Sequence, residues 1–173
     1  MSAERRAYLQ RIDTHTPPGK RYDVTPLFDD YQAFSALLDD LLDLASDTHF
    51  DVVVGIDALG FILGAGLALR AGVGFVPIRK GGKLPGDVDT VECVDYTSQR
   101  KTLELRRDAI VAGARALVVD EWIETGAQVS AAIQLLEARG AVVAGIATIQ
   151  MDTNQRTALL AARYPCFQVA SDL

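Results

Sequence analysis

The sequence predicts an α/β protein, a mostly parallel sheet flanked by helices with a β-hairpin flap inserted in it. Short, flatly apolar runs rich in β-branched residues ("FDVVVGID", "RALVVD", "AVVAGIATIQ") are too brief for surface helices and suit buried strands. Segments with helical spacing alternate with them across short connections, the pattern of a parallel sheet covered by helices. A turn-rich stretch at 81–107 breaks the alternation.

In chain order, residues 30–45 place Phe34, Leu37, Leu38, Leu41, Leu42 and Ala45 on one face, with acids between them. This is an amphipathic helix capped by Asp29 or Asp30. "FDVVVGID" is the first strand. The helix after it sets Ile62, Ala65, Gly66 and Leu69 on one face. "VGFVPIRK" is the next strand, with Pro77 marking an edge. Residues 81–107 open with "GGKLPGD" and then alternate through "TVECVDY" and "KTLELRR" around "TSQR", which reads as a hairpin. "RALVVD" repeats the strand pattern. After Gly126, residues Val129, Ala132, Ile133 and Leu136 give a helix that stops at Gly140, and "AVVAGIATIQ" is one more strand.

The 173 residues suffice for one domain, 1–173, with its own core. With 23 acids against 17 Lys and Arg, a net charge of −6 repels an extended phosphate backbone, so nucleic acid is not the expected partner. Cys93 and Cys166 have neither CxxC spacing nor a nearby His pair, and His15 and His49 are isolated. No run approaches the roughly 20 apolar residues of a membrane span, and the charged start "MSAERRAYLQRI" lacks an apolar leader core. A cytoplasmic location is expected.

Ligands of open α/β sheets collect where strands run into helices. Three such junctions stand out: "GIDALGF" at 55–61, "IRKGGKLPG" at 78–86, and "LVVDEWIETGAQ" at 117–128. At the third, backbone N–H groups of residues 125–128 at a helix start would cradle a monophosphate, with Gly126 allowing close approach. Asp120 and Glu121 could then accept hydrogen bonds from two neighbouring hydroxyls, as in a ribose diol. Acids in the first turn of a helix would also be ordinary helix stabilisers, and for Glu124 both readings stay open.

The third junction resembles the phosphoribosyl pyrophosphate motif of type I phosphoribosyltransferases, where apolar residues lead to two acids and then to a Thr-Gly phosphate turn. "GIDALGF", "IRKGGKLPG" and "PGKRYDVTPLFDDYQAF" are similar, in order, to segments of the adenine phosphoribosyltransferases, and together the matches span about residues 17–150. The resemblance implies a transfer of ribose 5-phosphate from phosphoribosyl pyrophosphate to a purine or purine-like base. It implies that Asp120 and Glu121 hold the ribose hydroxyls and that Thr125, Gly126, Ala127 and Gln128 wrap the 5′-phosphate. Asp57, Ala58, Leu59 and Gly60 would face the pyrophosphate, with Lys80 and Lys83 supplying positive charge. Residues 94–102 would form a mobile loop closing over the reaction, Mg²⁺ would bridge pyrophosphate and ribose oxygens, and the protein would be a homodimer.

The chain departs from that pattern at several places. Ala58-Leu59 stands where the adenine enzymes carry Ser-Arg, removing a guanidinium suited to phosphate. The phosphate turn reads Thr-Gly-Ala-Gln instead of Thr-Gly-Gly-Thr. Glu124 replaces a small residue and resembles the acid that the hypoxanthine-guanine enzymes hold near the purine, so it is a catalytic candidate. Asp95, with Glu104 as the other choice, is the candidate flap carboxylate. Tyr22, a candidate base contact, stands where the adenine pattern commonly has Arg. Leu59, Ala127 and Gln128 leave a second function open, a non-catalytic nucleotide sensor on the same fold.

Overall fold

In the computed structural model, which describes residues 3–17, 21–94 and 99–170, the apolar runs form the middle of a seven-stranded sheet. The elements in chain order are a 3-10 segment Ala3–Arg11, a 3-10 turn Thr25–Leu27, α1 (Tyr31–Leu44), β1 (Val52–Ile56), α2 (Leu59–Ala71), β2 (Gly74–Lys80), β3 (Val88–Val94) and β4 (Arg100–Arg106). They continue with β5 (Arg115–Val119), β6 (Trp122–Ile123), α3 (Ala127–Ala138), β7 (Val142–Thr148), β8 (Gln150–Met151), α4 (Gln155–Arg163) and β9 (Cys166–Gln168). The sheet order is β3-β4-β2-β1-β5-β7-β9, parallel from β2 to β9, and β6 pairs with β8 separately.

Alternate residues of the central strands feed two apolar layers. Val54, Ile56, Ala116 and Val118 face the α3 side, whereas Val53, Leu117 and Val119 face α1 and α2. Asp30 caps α1 by accepting the Ala33 N–H at 2.8 Å, and Leu37, Leu38, Leu41 and Ala45 are buried as expected. The N-terminal segment is tied across this layer: Tyr8 Oη donates to Asp40 Oδ2 at 2.9 Å, and Arg6 Nη1 donates to Val169 O at 2.6 Å.

The face expected for α2 packs only in part, at Gly66, where a Cβ would stand 2.9 Å from Leu38. Ile62 and Leu69 are 43% and 85% exposed, while Gly60, Leu63, Gly64, Leu67 and Ala68 are buried. This helix is apolar nearly all round, so periodicity does not choose its face. Close approach chooses it, since a Cβ on Gly64 would stand 2.9 Å from the Phe75 ring.

Pro77 sits in β2, inside the sheet order, yet the reading of an open edge holds locally. β4 pairs with β2 at Arg79 and Lys80 alone, and Ile78 O accepts from Asp57 N on the β1 side. Strand alternation therefore turns the missing N–H of Pro77 away from β1, beyond the reach of β4.

The predicted hairpin is present as β3 and β4, but its base is not a detached flap. β4 adds to β2 antiparallel, and Leu103 and Leu105 are fully buried. Within 94–102, Val94 ends β3 and Arg100–Thr102 belong to β4; residues 95–98, including Asp95, lie outside the described residues. α4 and β9, which the sequence reading did not anticipate, complete the sheet edge.

Candidate active site

Because β1, β2 and β5 run parallel, their C-terminal ends open on one rim, and the three junctions meet there. Asp120 and Glu121 follow β5 and are only 7% and 3% exposed. Their backbone is fixed first: Asp120 N donates to Ala147 O at 3.3 Å, and Glu121 O accepts from Ile149 N and Thr148 Oγ1, both at 3.1 Å. Asp120 Oδ1 accepts Glu121 N–H at 3.0 Å, and Arg21 Nη2 lies 2.7 Å from Glu121 Oε1. Burial, followed by the neighbouring Glu121 carboxylate, pushes the Asp120 carboxyl well above the usual aspartate range, with Arg21 opposing.

The next residues turn back into α3. Trp122 and Ile123 pair with β8, and Trp122 Nε1 donates to Asp152 Oδ1 at 2.9 Å. Asn154 Nδ2 donates to Glu124 O at 2.7 Å. Gly126 caps α3 at φ 74°, where a Cβ would meet Leu160 Cδ1 at 3.1 Å, so this left-handed, crowded position requires glycine. Thr125 Oγ1 accepts Ala127 N–H at 3.2 Å. The result is a concave turn lined by Arg21, Asp120 and residues 122–129, with the N–H end of α3 beneath it, a place suited to an anion. α3 begins at Ala127 and carries no acid in its first turn, so the helix-stabilising reading of Asp120, Glu121 and Glu124 is corrected: all three precede the cap.

A second cleft adjoins it, lined by Arg21, Asp57, Ala58, Leu59, Lys80, Gln99, Lys101, Asp120, Glu121 and Gln128. Asp57 N donates to Ile78 O, and the Asp57 carboxylate lies 3.6 Å from Arg79 Nε and 4.0 Å from Lys80 Nζ. The Asp57–Ala58 peptide is cis. Gly60 lets α2 close onto Asp120.

Most of the predicted site residues meet here: Asp57 to Leu59, Lys80, Asp120 and Glu121 on the cleft, and Glu124 to Gln128 on the turn, with Gly60 packed behind. Lys83 does not join them. Its backbone N–H is drawn to Glu104 Oε1 at 2.6 Å on the exposed 81–86 loop. Glu104 is no flap acid either, because it is 3% exposed and accepts N–H bonds from Gly82, Lys83 and Leu84. Burial alone would raise its carboxyl, but the three N–H groups and Arg79 hold it below the usual range.

Tyr22 is also displaced from its expected role: it packs edge-on against Trp122, ring centroids 5.9 Å apart, and lines neither hollow. The arginine of that segment is one position earlier, at Arg21, which the sequence reading missed. The signal was there, since a basic residue stands beside Tyr22 in the sequence. Gln99 and Lys101, which the sequence reading covered only as part of the 94–102 loop without naming them, also line the cleft.

Fold and site together define an α/β protein with a buried acid pair at the end of β5, an anion-suited turn at the start of α3 and a second polar cleft adjoining. Residues 28–171 match the phosphoribosyl transferase domain, and the chain belongs to that family. It is 45% identical over 142 residues to the adenine phosphoribosyltransferase of Streptomyces coelicolor, covering 82% of this chain and 78% of that one. The adenine phosphoribosyltransferase structure from Thermoanaerobacter pseudethanolicus superposes with a TM-score of 0.84 at 31% identity, covering 93% of this chain and 95% of that one. The Saccharomyces cerevisiae enzyme, solved with adenine and an imino-altritol bisphosphate, gives 0.81 at 27% identity, covering 97% of this chain and 99% of that one.

Proposed function

We propose that this chain is an adenine-using phosphoribosyltransferase, moving ribose 5-phosphate from phosphoribosyl pyrophosphate to the base and releasing pyrophosphate. The observation that carries the reading is the meeting, on one rim, of the buried pair Asp120–Glu121, the turn Thr125–Gln128 and the cleft at Asp57–Leu59. Its relatives bear the name adenine phosphoribosyltransferase over most of their length, which favours transfer over the sensor alternative.

In this reading Asp120 and Glu121 accept hydrogen bonds from the ribose hydroxyls, and the N–H groups at the start of α3 hold the 5′-phosphate. A ring nitrogen of the base bonds to the anomeric carbon as the bond to pyrophosphate oxygen breaks, and the nitrogen gives up its proton. In this reading Glu124, which lines the turn, takes that proton. The Asp95 assignment, outside the described residues, remains a sequence expectation.

Mg²⁺ fits this donor set. Two carboxylates, Asp120 and Glu121, are buried side by side, Glu121 paired with Arg21, and among the described residues no three metal-ligating side chains cluster as a ready-made cage. Such a site suits an ion held by one or two carboxylates and otherwise by substrate oxygens. Bound there, the ion would neutralise charge on the departing pyrophosphate. Exposed Tyr31, Ile62 and Leu69 on α1 and α2 favour a homodimer, which light scattering would test. The two-cysteine composition suits a reducing cytoplasm.

The deciding experiment supplies Mg²⁺, phosphoribosyl pyrophosphate and a panel of bases and measures pyrophosphate release. Turnover with adenine is expected. Preference for hypoxanthine or guanine would overturn the choice of base, and no turnover with any base, alongside nucleotide binding, would overturn the enzyme.

A further inference from the structure

Asp57 opens the α2 loop on the cleft that receives the pyrophosphate in the reading above, and Lys80 lines the same hollow. Left to each other, the two charges would cancel. Lys80 Nζ lies 4.0 Å from Asp57 Oδ1 and its side chain is 46% exposed, so the ammonium is not closed onto the carboxylate. A second cation does the neutralising. Arg79 Nε lies 3.6 Å from Asp57 Oδ2, buried and without a hydrogen bond of its own. An ion pair so placed balances the acid through charge alone.

Arg79 is held there from the other side. Its Nη1 donates to Lys83 O at 3.0 Å, and Lys83 belongs to the loop that Glu104 gathers. Glu104, almost fully buried, accepts the Gly82 N–H at 2.9 Å and the Lys83 N–H at 2.6 Å, together with that of Leu84. Arg79 and Glu104 are also direct partners in the β2–β4 ladder, so their side chains rise from one face. The carboxylate fixes the loop, the loop carbonyl fixes the guanidinium, and the guanidinium covers Asp57.

We infer that Glu104 is a positioning residue of this site: acting through residues 82–84 and Arg79, it keeps Asp57 neutralised and Lys80 available to an incoming pyrophosphate. The inference rests on the transferase reading above. Glu104 itself touches no substrate and moves no proton. Without its carboxylate Arg79 leaves Asp57, and Lys80 turns inward to take the vacated place.

Calorimetric titration of the full chain with magnesium pyrophosphate, and separately with AMP, tests this. Glu104→Gln should weaken pyrophosphate binding about tenfold, the scale of one charged contact, and leave AMP affinity within about twofold. Arg79→Gln, which leaves Glu104 and its loop in place, should do the same and serves where Glu104→Gln does not fold. The decisive background is Asp57→Asn, in which Lys80 has no acid to cover: there neither substitution should change pyrophosphate affinity by more than about twofold. A loss that persists in that background marks a direct contact or a role in the fold alone, and overturns the inference. Unchanged pyrophosphate binding by Arg79→Gln overturns it too, as does an equal loss for AMP. If the parent binds neither AMP nor pyrophosphate, the transferase reading itself falls, and this inference with it.

Discussion

Gly60 lies against Asp120: a Cβ built on Gly60 would stand 3.1 Å from Asp120 Oδ1 and 2.8 Å from Val119 O. The start of α2 and the end of β5 thereby share one contact surface, with backbone on the crowded side. Gly60→Ala should lower stability by about 1–3 kcal/mol through overpacking, and should also displace the acid pair. Gly72→Ala is the contrast. Its φ of 70° is unfavourable to alanine but nothing lies within 4 Å, so a loss of about 1 kcal/mol without change in substrate affinity is expected. Urea unfolding and phosphoribosyl pyrophosphate titration read the two effects separately.

Asp120→Asn should strengthen the empty protein while weakening its ligand. Because the folded-state carboxyl sits above its unfolded value of 3.8, the native state binds protons more tightly, and stability declines as pH rises from that value through the raised one. The amide removes this decline. Thermal melts should show Asp120→Asn a few degrees above the parent at neutral pH and no difference near pH 3. Together with Glu121→Gln, the substitution should cost about 1–3 kcal/mol of phosphoribosyl pyrophosphate binding per charged hydrogen bond lost. Calorimetry showing unchanged binding would refute the ribose role.

Sequence legibility follows from how local each signal is. α1, β1, β5, α3 and β7 were readable because their patterns lie within single segments, as with Asp30 capping a clean apolar stripe. The packed face of α2 was not, since Ile62 and Leu69 are as apolar as Leu63 and Leu67, and only contact with Phe75 and β5 separates them. Arg21 was missed because Tyr22 was aligned in its place, although the basic residue stands one position earlier. The pairing of β4 with β2 is long-range and has no local mark. α4 did leave one: Asn154 and Thr157 have capping-box spacing, with Leu160 and Tyr164 four residues apart behind them.

Glu104→Ala should release the 81–86 loop. Its carboxyl is held below the ordinary value of 4.5, so its contribution is complete above that value and is lost as pH falls through the lower one. Hydrogen exchange at Gly82, Lys83 and Leu84 should quicken about tenfold or more in the variant at neutral pH, the scale of one lost charged hydrogen bond. The difference from the parent should shrink under acid.

Asn154→Ala removes a helix cap and a tether together. The Asn154 side chain accepts the Arg156 and Thr157 N–H groups and donates to Glu124 O. The cap alone is worth about 1–2 kcal/mol. A matching fall in unfolding free energy is expected, with a rise in KM for phosphoribosyl pyrophosphate as the phosphate turn loosens. Loss of stability with KM unchanged would confine Asn154 to the cap.

Trp122 is the sole tryptophan of the chain. It sits directly after the acid pair, 7% exposed, bonded to Asp152 and edge-on to Tyr22, the neighbour of Arg21. The protein therefore carries a built-in optical reporter: a nucleotide that shifts Arg21 or the turn alters the surroundings of one indole, and its emission follows occupancy with no label attached.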